Sequence, residues 1–388
     1  MEATRGEGMI SRSAEADMIR HIGILTGGGD APGLNAVIRA FTKYGVSRYD
    51  WSIVGVCDSF NGLIEVPHRI VRLDLPGCQG LLQRGGTILG TTNRGDPFSW
   101  PLPSGERVDR TEALLTGMRD LGLEGLVCVG GEGTQAIAWR LSQELGIKVI
   151  GVPKTIDNDL DATDLTFGFQ SAVDIATEAL DRLHTTAESH DRVMILEVMG
   201  RDAGHIALSA GIAGGADAIL LPEVEWDPRR VADKILARRS VGRPFSVIVI
   251  AEGALPMPES PAEAALPRWE RIRNGGGAGA IAMRRLQAVV DAEMRLTVLG
   301  HLQRGGSPAP FDRVLATRFG VAAVDLIAAG RWGEMVRLHQ GVVDGVPLPD
   351  AISRYRTVDL TGELVRTAEA VGITLGRPGR PATQQDVP

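Results

Sequence analysis

Cysteine is scarce: three residues in 388, Cys57, Cys78 and Cys128, far apart and without CxxC spacing. That excludes a disulfide framework and a cysteine-ligated zinc site. Aromatic side chains make up only 4%, too few for an aromatic-rich sandwich or a base-stacking platform. Positive charge is not in excess either, and the formal net charge of −7 is the wrong sign for a nucleic-acid or anionic-membrane protein. No apolar run reaches the roughly 20 residues of a membrane-spanning helix. The N-terminal MEATRGEGMISRSAEADMIR mixes acids and bases without the apolar core of a secretory signal. The expectation is a cytoplasmic protein whose partners are small molecules.

What the chain has in quantity is glycine, 49 residues, within a hydrophobic content of 44%. A chain of this length buries a large core and is expected to form two domains, and its glycines suit repeated tight turns. Short β-branched runs bounded by Gly or Pro alternate with longer amphipathic stretches, which predicts an α/β protein with parallel strands and crossover helices. The predicted strands are Ile22–Thr26, Ile53–Cys57, Leu126–Val129, Val149–Val152, Val193–Val198, Ala218–Leu221, Ser246–Ile250 and Leu296–Leu299. Cys57 and Cys128 fall in two of them and are expected to be core thiols. Beyond Thr134, Ile137, Leu141 and Leu145 recur every fourth position, predicting a helix capped by Thr134. The Pro- and Gly-rich stretch Leu255–Gly279 lacks an apolar period and reads as a surface excursion, able to act as a mobile flap. Composition predicts disorder over 1–19 and 377–388.

Two glycine-rich turns lie between predicted strands and helices: GGGDAPGLN (Gly27–Asn35) and CVGGEGT (Cys128–Thr134). Glycine lets backbone N–H groups at a helix N-terminus approach an anion. One such turn is equally consistent with a plain strand-to-helix connection; two suggest one extended polyphosphate, with Glu132 placed to hold a hard cation among phosphates. Neither fits GxxxxGK[ST], so a neutralising lysine must come from elsewhere, and Lys154 in PKTIDNDL (Pro153–Leu160) is the candidate. This loop follows a strand's C-terminal end, where open α/β sheets bind ligands. An Asx turn would need only one of its aspartates. Phosphoryl transfer to a hydroxyl needs a carboxylate to take the proton and cations to neutralise the moving group, and this loop can supply both. Arg192 and Arg201 flank one strand, and Arg295, His301 and Arg304 lie along RLTVLGHLQRGG. Any one reads as a surface ion pair, or His301 as a capped core imidazole; five at strand ends suit a phosphate dianion.

Taken together, GGGDAPGLN, GGEGT, PKTIDND, EVMGRDAGHIAL and GHLQRGGSP resemble, in this order, the phosphofructokinase family over about Ile22 to Trp332. GGEGT alone is also similar to the GGDGT of NAD and diacylglycerol kinases, which lack the TIDND and GHLQRGG elements. The resemblance implies two Rossmann-like three-layer α/β domains with mainly parallel sheets and an active site in the cleft between them. Residues 20–168 with about 303–353 would bind the donor, and 169–302 with about 354–376 the sugar phosphate. The implied reaction is phosphorylation of the 1-hydroxyl of fructose 6-phosphate. Asp157 would be the base, Thr155 would hold the transferring group, and Arg201 would stabilise the transition state. Gly29, Gly131, Gly133, Thr134 and Lys154 match the donor cradle, and Glu132 matches the Mg2+ ligand. Arg192, Met199, Gly200, Glu252, Arg295, His301 and Arg304 match the sugar-phosphate site. In the family Arg192 and Arg295 reach in from a neighbouring subunit, which implies a homotetramer or homodimer with shared active sites.

The family has ATP-using and pyrophosphate-using branches, and the sequence carries one mark of each. Gly133 is ATP-like, because an Asp there would occupy and repel the α-phosphate of a nucleotide; Lys154 resembles the pyrophosphate users. A steric and electrostatic block decides more than an added lysine, so ATP is the expected donor and pyrophosphate the alternative. Three departures from the short bacterial members stand out. Asn93 takes the place of an arginine, with Arg94 as its expected substitute. In the effector region Arg39 and Arg243 match cations, while His184, Lys43 and Val241 replace arginines or offer no charge, so hyperbolic kinetics insensitive to ADP and phosphoenolpyruvate are expected. The long Leu255–Gly279 excursion leaves sedoheptulose 7-phosphate open as a second acceptor. Two other classes compete: a non-catalytic ligand-binding relative, against which Asp157, Thr155 and Arg201 speak, and a dehydrogenase, which would want GxGxxG and a later acidic residue.

Overall fold

A computed structural model describes residues 20–379. Most of the disorder expected at the two ends therefore lies outside the described residues. Arg377 does not: it is tied to Leu360 O at 2.7 Å and to Glu369 at 3.2 Å. Along the chain come β1 (His21–Thr26), β2 (Ser52–Val56), β3 (Ile70–Leu73), the small hairpin of β4 (Trp100–Pro101) and β5 (Arg107–Val108), then β6 (Gly125–Gly130), β7 (Lys148–Thr155) and β8 (Phe167–Gly168). After the long helix Phe169–His190 the chain builds a second sheet from β9 (Val193–Val198), β10 (Ala218–Leu220), β11 (Ser246–Ala251) and β12 (Met294–Val298). The helix Pro310–Ala328 then carries it back, and β13 (Glu334–His339) and β14 (Val342–Pro347) complete the first sheet.

The first sheet runs in the order β14-β13-β7-β6-β1-β2-β3, with β8 paired to β7, and only its two edge pairs, β13–β14 and β2–β3, are antiparallel. The second, β10-β11-β9-β12, is parallel throughout. Central strands such as β6 and β11 are buried along their whole length, as parallel strands covered by helices on both faces must be. One core packs the helices Leu34–Tyr49 and Pro310–Ala328 onto the first sheet; another packs the helix Phe169–His190 onto the second. The architecture is thus α/β with mainly parallel sheets, as expected from the alternating pattern. Among the described residues no helix is long and apolar enough to cross a membrane.

All eight predicted strands are present, with their ends within three residues of the expected ones. The helix after β6 starts earlier than predicted, at Glu132 with Gly131 as its N-cap, so Thr134 is its third residue and no cap. The Thr134 side chain packs against the first turn: a Cβ on Gly27 would lie 2.7 Å from its hydroxyl, which favours glycine there. The Leu255–Gly279 excursion is on the surface but not featureless. It contains the helices Pro261–Ala264 and Arg268–Gly275, pinned by the buried Arg271, which donates to Glu225 at 2.6 Å and to Pro256 O at 2.7 Å. Of the cysteines, Cys128 and Cys78 are buried, whereas Cys57 sits just past β2 and is half-buried.

Candidate active site

In a parallel sheet the loops that leave the strand C-termini share one edge, and ligands gather there. The turn after β1 is held open by two backbone bonds, Gly27 N to Val129 O at 2.9 Å and Gly28 N to Thr92 O at 3.0 Å. Gly28 adopts φ +79°, a left-handed conformation that glycine takes without strain. A Cβ on Gly29 would lie 2.9 Å from the Arg304 guanidinium, so glycine also lets that cation in, and Arg304 donates to Asp30 O at 2.9 Å. The turn after β6 leads into the helix Glu132–Leu145, whose first-turn N–H groups have no intrahelical acceptors and face the cleft. The buried Gln135 amide, bonded to Cys128 O, Gly130 O and Val152 O, fixes that turn against the ends of β6 and β7.

The end of β7 brings Lys154, Thr155 and Asp157 between the two turns. Lys154 is buried and donates to the Gly29 carbonyl; burial, and then the Arg304 charge, pushes its ammonium down to about 8. The Thr155 hydroxyl accepts from Asp157 N at 3.0 Å. Asn158, at φ +54°, reverses the chain and accepts from Thr166 N at 3.0 Å through its side chain. Asp157 is only 5% exposed, and its Oδ1 has no hydrogen-bond partner. Burial, and then the Asp159 charge, pushes its carboxyl up to about 6, against the pull of Arg304 and Arg201.

Arg201 enters from the second sheet. It follows β9 in a left-handed conformation, φ +44°, uncommon for a residue with a side chain, and its N–H donates to Glu252 at 3.1 Å. Gly253 completes the contact, since a Cβ there would collide with the Arg201 carbonyl. Glu252 therefore supports the loop that presents Arg201, as does Gly200 at φ +139°.

These pieces surround one cleft of about 640 Å³. Gly29, Gly131, Glu132, Gly133 and Thr134 of the two turns, Lys154, Thr155 and Asp157 at and after the end of β7, and the cations Arg201 and Arg304 all line it, with Arg304 packed against the Gly29 turn. Other expected site residues stay outside it. Arg94 is exposed and does not line the cleft, although its neighbours Asn93 and Gly95 do. Met199 is core, and His301 is exposed on the turn Gly300–Arg304. Arg192 and Arg295 lie at the other edge of the second sheet, at the starts of β9 and β12, where both pair with Glu293 at 2.8 and 2.5 Å.

Several polar side chains that line the cleft were not anticipated as site residues, among them Arg140, Asp159 and Tyr355. Arg140 stacks its guanidinium 3.7 Å over the Phe98 ring and faces the cleft. It stands two helical turns beyond Glu132, a spacing that puts both on one face and was readable. Asp159 lies in the TIDND motif itself. Tyr355 comes from 198 positions beyond Asp157 and carries no local signal.

Comparison with known proteins places the chain in a family. The family described as "Phosphofructokinase" matches residues 21–327. The ATP-dependent 6-phosphofructokinase 1 of Synechocystis is 49% identical over 92% of this chain and 99% of its own. The pyrophosphate–fructose 6-phosphate 1-phosphotransferase of Streptomyces coelicolor is 46% identical over 87% of this chain and 96% of its own. Among solved structures, phosphofructokinase from Saccharomyces cerevisiae superposes with a TM-score of 0.70 at 27% identity over 86% of this chain, which spans only 45% of the yeast chain. The chain belongs to the phosphofructokinase family.

Proposed function

We propose that the protein transfers a phosphoryl group from ATP to the 1-hydroxyl of fructose 6-phosphate. The observation that carries this reading is the buried Asp157, with one oxygen unpartnered and its carboxyl raised to about 6, in a cleft that also holds Lys154, Arg201 and Arg304. A base works best when its pKa approaches the working pH. Asp157 takes the proton of the attacking hydroxyl through its free oxygen. Lys154, Arg304 and Arg201 converge on the space between the two glycine turns and the acid, where negative charge spreads over the transferring group. The Thr155 hydroxyl and the first-turn N–H groups of the helix Glu132–Leu145 orient that group. In this reading residues 20–168 with about 303–353 hold the donor, and 169–302 with about 354–376 hold the sugar phosphate.

The donor assignment rests on Gly133. Its φ is not in the left-handed region, and a Cβ there would meet nothing within 4 Å. The protein itself does not require glycine at that place, so a side chain would project into the cleft, where the nucleotide's α-phosphate belongs. The names of the relatives span both donors. The second reading, pyrophosphate, draws on Lys154, whose ammonium sits between the two turns.

A magnesium ion fits the residues present. Glu132 carries a carboxylate in the cleft wall, and no group of three or more His, Cys, Asp or Glu among the described residues could hold a metal alone. That suits an ion bound by one carboxylate and by substrate phosphates. Bound there, it would neutralise donor charge.

Arg192 and Arg295 do not serve this chain's own cleft: they stand at the N-terminal ends of β9 and β12, while Arg201 follows the opposite, C-terminal end of β9. They therefore serve a neighbouring copy's sugar-phosphate site in a homo-oligomer with shared active sites, while His301, on its exposed turn, is read as part of the sugar-phosphate site of its own chain. In the effector region the His184 ring is bonded to Gly214 O at 2.8 Å, and with Lys43 in place of an arginine and Val241 offering no charge, hyperbolic kinetics are expected. The test is phosphorus NMR of purified protein with fructose 6-phosphate and Mg-ATP. Matched appearance of a 1,6-bisphosphate and ADP is expected; ATP left intact while the sugar phosphate persists would refute the reading.

A further inference from the structure

The region matched by the family ends at residue 327, yet the C-terminal segment lies across the TIDND loop. Tyr355 pairs with Leu160 in an antiparallel bridge, and Arg356 N donates to Asp159 O at 2.9 Å. The Arg356 guanidinium donates to Asn158 O at 2.8 and 3.0 Å, to Thr163 O at 2.8 Å and to Asp164 O at 2.9 Å. Backbone carbonyls of the loop thus converge on one arginine, which fixes the segment in register with the loop. The consequence for the neighbouring side chain is that Tyr355 lines the same cleft as Asp157 and Asp159, close enough that, after burial, the Asp159 charge acts on its hydroxyl and raises its pKa.

We propose that Tyr355 is a positioning residue of the active site: its hydroxyl donates to the Asp159 carboxylate and occupies it, leaving Asp157 alone to accept the substrate proton. The inference rests on the function proposed above. Two carboxylates in one loop compete for a proton, and a donor committed to one of them settles which is the base. Asp157 is faced by Asp159 on its own loop, Lys154 on β7, Arg201 and Glu252 on the second sheet's side, Arg304 on the Gly300–Arg304 turn, and Tyr355 on the C-terminal segment. Of these, Tyr355 is the neutral donor.

Tyr355→Phe keeps the ring and removes only the hydroxyl. One hydrogen bond to a charged group corresponds to a loss of roughly tenfold in kcat, with both KM values within about twofold. Without the donor, the Asp159 charge acts more strongly on Asp157, so the acid limb of the kcat profile moves to higher pH. In an Asp159→Asn background the same change should add nothing further. A thermal melt establishes that each variant is folded. A folded Tyr355→Phe enzyme with unchanged kcat and acid limb overturns the inference, as does a change in KM alone or an effect that persists undiminished beside Asp159→Asn. If the unsubstituted protein transfers phosphoryl groups from neither ATP nor pyrophosphate, the functional reading fails first and the role of Tyr355 falls with it.

Discussion

Replacing Asp157 by Asn separates the cost of the base from its benefit. The carboxyl is held at about 6 instead of its ordinary 3.8, chiefly by burial, and each pH unit is worth about 1.4 kcal/mol. The folded state therefore binds this proton more tightly than the unfolded chain does. Its stability is greatest below the unfolded value and declines as pH rises through about 6, by roughly 3 kcal/mol once both states are ionised. Asn carries no charge to bury, so Asp157→Asn should be more stable than the parent at about pH 8. The melting temperature should be higher by roughly 4 °C, and the gain should fade toward about pH 4. Turnover should move the other way, falling about 10²- to 10⁴-fold with little change in substrate binding. Calorimetry at the two pH values and steady-state kinetics on the same preparation read both effects. A variant with near-normal turnover, or one less stable at the higher pH, would refute the assignment of Asp157 as a base held above its ordinary pKa.

Gly133→Asp should fold normally, because a Cβ there meets open space, and should weaken ATP use by about 100-fold through charge repulsion; titration with ATP and pyrophosphate reads this directly. Arg192→Ala and Asp157→Asn should each be inactive alone, yet mixed and reassembled subunits should regain part of the activity if sites are shared; no recovery in a confirmed mixed oligomer would contradict the shared site. Arg271→Ala should cost about 1–3 kcal/mol by removing the buried side chain and leaving the Pro256 carbonyl without its donor, seen as a lower denaturant midpoint. Rate against fructose 6-phosphate should be hyperbolic with or without ADP; a sigmoidal curve relieved by ADP would restore an effector role to the Arg39 and Arg243 region.

The strand pattern was legible because each parallel strand is a short apolar run that must be buried on both faces, and β9 matches its prediction residue for residue. The edge strands β3 and β14 were not, since an edge carries exposed and charged positions such as Arg72 and Asp344 that break the apolar run, and β13 beside β14 is likewise interrupted by Glu334 and Arg337. Glycine turns and the TIDND loop could be read locally because close approach to an anion restricts residue type over a few positions. Arg94 stands exposed beside cleft-lining Asn93 and Gly95, and a count of positions along a loop does not say which side chain faces inward. Arg271 and Tyr355 were out of reach for a different reason: their partners are distant in sequence, and nothing local distinguishes them from surface residues.

The donor is the most direct test of the whole account, because Gly133 and Lys154 make opposite claims on the same cleft. Initial rates of fructose 6-phosphate phosphorylation with Mg-ATP and with Mg-pyrophosphate, measured on one purified preparation, should give clear activity with ATP and little with pyrophosphate. Activity with pyrophosphate alone would contradict it.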